Sequence, residues 1–254
     1  MKTEIGVIGL GVMGKSLSRN LARNGFKISI YNRHVDGKDE NIAVDFKREY
    51  PELDQALPFN DLKAFVQSME TPRKIILMVN AGPSVDAVLG NLSDLLETGD
   101  IVIDGGNSHF EDTNHRIDSM KEKGLVFIGA GISGGEEGAL KGPSIMPSGD
   151  KKAYLKVQKY LESIAAKDGD GNPCCSYVGS QGSGHFVKMI HNGIEYVEMQ
   201  LLAECYSILK SQRMSNAEMA AVFESWMSDL GSYLLGITVE ILRKEEGDEY
   251  LLDQ

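Results

Sequence analysis

Cysteine is scarce in this 254-residue chain: there are three, with Cys174 and Cys175 adjacent and Cys205 distant. That pattern builds neither a disulfide framework nor a metal-ligand spacing, so all three read as free thiols. Long apolar runs are also missing. None reaches the roughly 20 residues of a membrane span, and Met1-Lys2-Thr3-Glu4 leads into a strand pattern rather than a signal peptide. The expected setting is therefore cytoplasmic, with no membrane partner. Positive charge is in deficit, with 26 Lys and Arg against 37 Asp and Glu and a formal net charge of −11. A surface that tracks nucleic-acid phosphates needs a basic excess, so nucleic acid is not an expected partner. A small anion remains possible, because a local cluster of Lys and Arg can still form a positive pocket.

What is present is order along the chain. Apolar runs at 4–9, 27–32, 73–80, 100–106 and 124–131 alternate with helix-like stretches near 12–24, 61–69, 83–96 and 109–123. That alternation predicts βαβ units and an α/β fold with a Rossmann-type, doubly wound, mainly parallel sheet. A helix near 150–166 and a strand at 175–179, "CSYVG", complete this part. From Gln181 onward the β signal disappears and three helical patterns follow, near 181–211, 215–227 and 231–246. The expected division is a dinucleotide-binding domain over 1–179 and the start of an all-helical domain over 180–254. Acidic stretches around 36–40 and 244–249 read as solvated loops or helix ends.

"GLGVMG" places Gly9, Gly11 and Gly14 in a G-x-G-x-x-G pattern after a strand and before a helix beginning near Val12. In that context the glycines permit a tight turn, close approach of backbone to a pyrophosphate and close packing of helix on strand. The free N–H groups and positive dipole end of the helix then face the phosphates. About twenty residues on, where NAD-binding chains place an acid on the ribose 2′-OH, stand Asn32 and Arg33. A neutral amide does not repel a 2′-phosphate and a guanidinium pairs with one. NADP is the expected cofactor.

The segment "GHFVKMIHNGIEY" (184–196) sets Lys188, His191, Asn192, Glu195 and Tyr196 on one helical face at about 100° per residue. Phe186, Ile190, Ile194, Val197 and Leu201 fall on the opposite face, as for a helix packed on a core. The polar face reads either as solvated surface or as a catalytic face.

Two further segments, "DGGNS" (104–108) and "GAGISGGEEGALKGPSIMPSGD" (129–150), join the glycine loop and "HNGIEY". Together they give the chain a strong resemblance to the 6-phosphogluconate dehydrogenases, within the broader β-hydroxyacid dehydrogenases. The resemblance implies NADP-dependent oxidative decarboxylation of 6-phosphogluconate to ribulose 5-phosphate and CO2 in the pentose phosphate pathway, without a metal. It implies Lys188 as the acid/base of oxidation and decarboxylation, and Glu195 as the acid that protonates C1. Substrate contacts are implied for Asn107, Ser133, Gly134, Gly135, His191, Asn192 and, at the phosphate, Tyr196. Cofactor contacts are implied for Gly9, Leu10, Gly11, Val12, Met13, Gly14, Asn32, Arg33, His34, Val79, Asn80, Ala81 and Asn107. The chain departs from the family's common residues at Gly11 (Ala), Asn80 (Lys) and His34 (Thr or Ser), and at Met227-Ser228-Asp229 (Asn-x-Gly).

Family members continue past the point matching Gln254, into further phosphate ligands and a helical homodimerisation domain. On that basis Phe223, Trp226, Leu234, Leu235 and Ile241 are expected to be partly exposed and to favour self-association. This chain is expected to bind NADP with little turnover. A different β-hydroxyacid dehydrogenase acting on a small unphosphorylated acid, and a catalytically silent NADP-binding fragment, are the competing readings.

Overall fold

Seven short strands make one sheet: β1 (Ile5–Ile8), β2 (Ile28–Tyr31), β3 (Leu57–Phe59), β4 (Lys74–Leu77), β5 (Ile101–Asp104), β6 (Val126–Ser133) and β7 (Ser144–Gly149). The computed structural model describes residues 2–33, 37, 41–247 and 249–253, so the expectation for His34 lies outside the described residues. The strand order is β3-β2-β1-β4-β5-β6-β7; the first six are parallel and β7 runs antiparallel to β6. Parallel neighbours require crossovers. These come from α1 (Val12–Arg23), α2 (Ile42–Glu49), α3 (Leu62–Gln67), α4 (Pro83–Ser93) and α5 (Phe110–Glu122), while α6 (Gly135–Lys141) and α7 (Lys151–Ile164) flank β7. Helix starts carry their sequence signals: Asp61 and Asp150 accept hydrogen bonds from the N–H groups of Ala64 and Ala153.

Strand side chains alternate between faces. Val7, Ile76, Ile103 and Ile128 enter a core with Leu17, Leu21, Phe46 and Val157, whereas Ile8, Leu77, Val102 and Phe127 meet Phe65, Leu89 and Met120 on the other side. Burial on both faces explains why these strands read as unbroken apolar runs. The chain leaves β1 for β2 on one side and returns to β4 on the other. The carboxyl ends of β1 and β4 therefore flank the crevice at which open α/β sheets bind ligands.

Two expectations for this region change. The run 175–179 forms only isolated bridges, Cys175 with Ile145 and Gly179 with Ser148, and the last strand of the sheet is instead β7, beside β6. On the next helix, α8 (Ser183–Ser211), the residues expected to face a core, Phe186, Ile190, Ile194, Val197 and Leu201, are exposed, while Gly184, His185 and Lys188 are buried. The buried side is the one whose small residues permit close backbone approach.

Contacts divide the chain into two compact units, Met1–Met189 and Ile190–Gln254, so the division falls inside α8. The second unit adds α9 (Asn216–Ser225), α10 (Met227–Leu230), α11 (Tyr233–Arg243) and a two-residue pairing of β8 (Glu245–Glu246) with β9 (Glu249–Tyr250). Ser215 and Glu218 form a capping box that starts α9. Phe223 and Leu235 were expected to be partly exposed but are buried, in a cluster with Met219, Val239 and Leu242 that half-covers Trp226. Leu234 is also half-buried and Ile241 is exposed. The helices α9 and α11 cover each other's apolar faces.

Candidate functional site

The glycine loop joins β1 to α1 and depends on two backbone contacts. Gly9 has φ +95°, and a Cβ there would lie 2.4 Å from the Met78 carbonyl oxygen; at Gly14 it would lie 1.8 Å from the Gly9 carbonyl oxygen. Neither position accepts a side chain. A Cβ on Gly11 would meet nothing within 4 Å, which accommodates the family's common alanine. Asn32, just after β2, accepts a hydrogen bond from the Leu10 N–H through Oδ1 at 3.1 Å. It therefore braces the loop as well as bordering the crevice, while Arg33 beside it is exposed.

Two adjoining hollows follow the carboxyl edge of the sheet. A 540 Å³ cavity is bordered by Gly9, Leu10, Asn32, Arg33, Pro83 and Asn91, among others. A 310 Å³ cavity is bordered by Val12, Met13, Gly14, Ala81, Asn107 and Ile132, and the two share Gly11, Met78, Val79 and Asn80. The glycine cradle, the α1 N-terminus and this double hollow fit a dinucleotide. Its phosphates would lie at the helix end, the adenosine half on the β2 side and the nicotinamide half between β4 and β5. Apart from His34, every residue expected at the cofactor borders one of these hollows.

On the β6 side the helix α8 is seated through glycine. A Cβ on Gly131 would stand 2.5 Å from Lys188 Cβ, and one on Gly184 would stand 2.1 Å from the Met146 carbonyl oxygen. His185 is fixed by a 2.7 Å hydrogen bond between Nδ1 and Thr113 Oγ1. Burial lowers its basicity against the opposing pull of Asp104. Gly182 N–H donates to Asn114 Oδ1 at 2.8 Å, and the Phe110 and Phe186 rings meet edge to face. Lys188 is thereby held 8% exposed against Gly131, the neighbour of Ile132, which borders the second hollow. Ser133 ends β6, and Gly134 and Gly135 turn with φ +142° and +60° into α6. In the second unit His191 Nδ1 lies 3.6 Å from Glu195 Oε2, both side chains are 37% exposed, and Tyr196 is exposed.

Sequence reasoning gave no role to Asp104, Ser108, Arg116 or His185. The first two stand within "DGGNS" and His185 within "GHFVK", so the signal was there; nothing about Arg116 on a charged helix distinguished it. Among the described residues no group of three or more His, Cys, Asp or Glu side chains is arranged to hold a metal ion.

Residues 4–179 match the NAD binding domain of 6-phosphogluconate dehydrogenase and residues 184–254 the C-terminal domain of 6-phosphogluconate dehydrogenase. The chain belongs to the 6-phosphogluconate dehydrogenase family. It is 52% identical over 250 residues to the NAD(+)-dependent, decarboxylating 6-phosphogluconate dehydrogenase of Bacillus subtilis, covering 97% of this chain and 52% of that one. It is 49% identical over 255 residues to the decarboxylating enzyme of Escherichia coli K12, covering 99% of this chain and 53% of that one. The chain thus spans about half the length of these curated relatives. Among solved structures, 6-phosphogluconate dehydrogenase of Plasmodium falciparum, described in apo form and in complexes with NADP+ and with 6-phosphogluconate, superposes with a TM-score of 0.89. Its identity is 40%, covering 99% of this chain and 54% of that one. A 3-hydroxyisobutyrate dehydrogenase of Mycobacterium tuberculosis, at 20% identity, covers 92% of this chain and 73% of that one with a TM-score of 0.71. It shares the fold alone.

Proposed function

We propose that this chain serves the NADP-dependent oxidative decarboxylation of 6-phosphogluconate to ribulose 5-phosphate and CO2, in the cytoplasm and as part of a homodimer. The observation that carries the reading is Lys188, buried against Gly131 of β6, whose neighbour Ile132 borders the 310 Å³ hollow. The dinucleotide supplies the hydride acceptor. Lys188, neutral at the start, takes the C3 hydroxyl proton as the hydride leaves C3. The 3-keto acid then loses CO2, and the Lys188 ammonium donates its proton to the developing enolate oxygen. Glu195, further along α8, delivers a proton to C1 while Lys188 takes back the enol O–H proton, and the enediol becomes the ketone. Asn107 and Ser133-Gly134-Gly135 hold the substrate by its hydroxyl and carboxylate end, His191 and Asn192 by its hydroxyls or carboxylate, and Tyr196 by its phosphate.

NADP is preferred in this reading because Asn32 is neutral and the Arg33 guanidinium is exposed beside it. The relative named as NAD(+)-dependent makes a titration of both dinucleotides the direct test; tighter binding of NAD would remove the NADP assignment. Turnover is tested with 6-phosphogluconate and each dinucleotide. Lys188→Met should preserve dinucleotide binding and abolish hydride transfer in the longest active form of the protein, and activity within about tenfold of the parent would exclude Lys188 as the base. A chain that binds the dinucleotide but turns over no sugar acid fits the silent-fragment reading instead.

A further inference from the structure

Arg116 of α5 is 6% exposed yet borders neither cofactor hollow. Its Nε and Nη2 donate to the Asp86 carboxylate at 2.7 and 3.0 Å, and Nη2 also donates to the Gly82 carbonyl at 3.1 Å. Its Nη1 donates to Ser108 Oγ at 3.2 Å and stands 3.8 Å from Asp104 Oδ2. Asp104, fully buried at the end of β5, accepts from the Gly106 N–H at 3.0 Å and from the Ser108 hydroxyl at 2.6 Å. One guanidinium therefore bridges the loop after β4 to the loop after β5.

Both loops border the 310 Å³ hollow, the first through Val79, Asn80 and Ala81 and the second through Gly105, Gly106 and Asn107. The same helix carries Thr113, one turn before Arg116, whose hydroxyl holds His185 on α8. The helix α5 thus sets the gap between the loops and also the seat of the helix that bears Lys188. A planar fork reaching four acceptors does this in a way that a lysine ammonium cannot reproduce.

We propose that Arg116 is a positioning residue for the nicotinamide half of the cofactor. It acts by fixing the separation of the two loops, and the proposal rests on the dinucleotide reading above. A residue with only a structural role would weaken both halves of the crevice alike. Arg116 should affect the half between its loops more than the other, which α4 also borders through Pro83 and Asn91.

The probes are NADH and NADPH, which carry the nicotinamide, and ADP-ribose and its 2′-phosphate, which do not. Affinities are compared within whichever pair the unaltered chain prefers, using nucleotide fluorescence for the reduced dinucleotide and calorimetry for the fragment. The variants are Arg116→Lys and Asp86→Asn. The second alters a side chain that is 58% exposed, so the test stands on it alone if the first fails to fold. Arg116→Lys should raise the dinucleotide Kd about tenfold and Asp86→Asn about threefold, with the fragment Kd held within about twofold. Equal losses for dinucleotide and fragment, or no loss for the dinucleotide in a folded variant, would overturn the proposal. If the unaltered chain binds none of the four compounds, the dinucleotide reading fails and takes this proposal with it.

Discussion

Replacing Gly131 by alanine tests how α8 is seated. The added methyl would lie 2.5 Å from Lys188 Cβ, 3.3 Å from its Cγ and 2.8 Å from the Gly184 carbonyl oxygen. Carbon contacts are optimal at about 3.5–4.0 Å, so the shortfall is about 1 Å. The nearest atoms are a first side-chain carbon and a backbone oxygen, and neither can rotate away. Either β6 or the first turns of α8 must shift, and overpacking of this kind costs about 1–3 kcal/mol. At roughly 2–4 °C per kcal/mol for a unit of this size, the melting temperature should fall by roughly 2–12 °C. Two units can unfold separately, so the relevant transition in calorimetry is the one that added dinucleotide raises. Gly90→Ala is the control: it sits within α4 with nothing inside 4 Å of its added Cβ, and should stabilise by about 0.4–1 kcal/mol. If Gly131→Ala melts within about 1 °C of the parent, the close seating of Lys188 is wrong.

Two other predictions concern the cofactor and pH. Asn32→Asp retains an acceptor for the Leu10 N–H, so the fold should be kept while the NADP to NAD affinity ratio falls about tenfold or more; an unchanged ratio in paired titrations would show that the 2′-phosphate does not lie there. For His185, burial lowers the folded-state value below the ordinary 6.5. Between the two values the unfolded chain holds the additional proton, so this contribution to stability is complete above about pH 6.5 and is lost as pH falls towards the folded value. Melting temperatures from pH 8 to 5.5 should decline less for His185→Gln than for the parent, and parallel curves would refute the assignment.

The central sheet was legible because strands buried on both faces leave apolar runs that composition alone exposes. Its two edges were not. Pro58 lies in β3 and Pro147 in β7, and proline, tolerated only where a ladder bond can be spared, erases the strand signal where an edge allows it. The crevice was legible from its loop glycines, whose spacing encodes a turn. The Arg116 support behind it was not, because Arg116 acts through Asp86 and Gly82, 30 and 34 residues away in sequence. Around Lys188 hydrophobicity pointed the wrong way. A helix that docks through Gly184 on Gly129 and Gly131 buries few apolar atoms, so its contact side looks polar and its open side looks like core.

That open side of α8 leads to the remaining prediction. Within the second unit Ile190, Ile194, Val197, Leu201 and Ile208 are 47%, 66%, 60%, 57% and 63% exposed. Their spacings are four, three, four and seven residues, which is the a/d rhythm of a helix seam, interrupted at the d position by Glu204. Scattered apolar residues on a surface are ordinary, but a continuous stripe on one helix is not. The five residues expected from sequence to drive self-association contribute less, because Phe223 and Leu235 are buried and Leu234 and Trp226 are half-covered. The stripe on α8 is expected to drive self-association in their place, through a second copy of the same stripe. Sedimentation velocity across a concentration series should therefore show association. Ile194→Lys with Leu201→Lys should shift the material to monomer without lowering the dinucleotide affinity of the first unit. Two charges set into a packed seam oppose dimerisation by desolvation and repulsion together. A monomeric parent, or a double variant that associates as strongly as the parent, would show that this face is not an interface between copies.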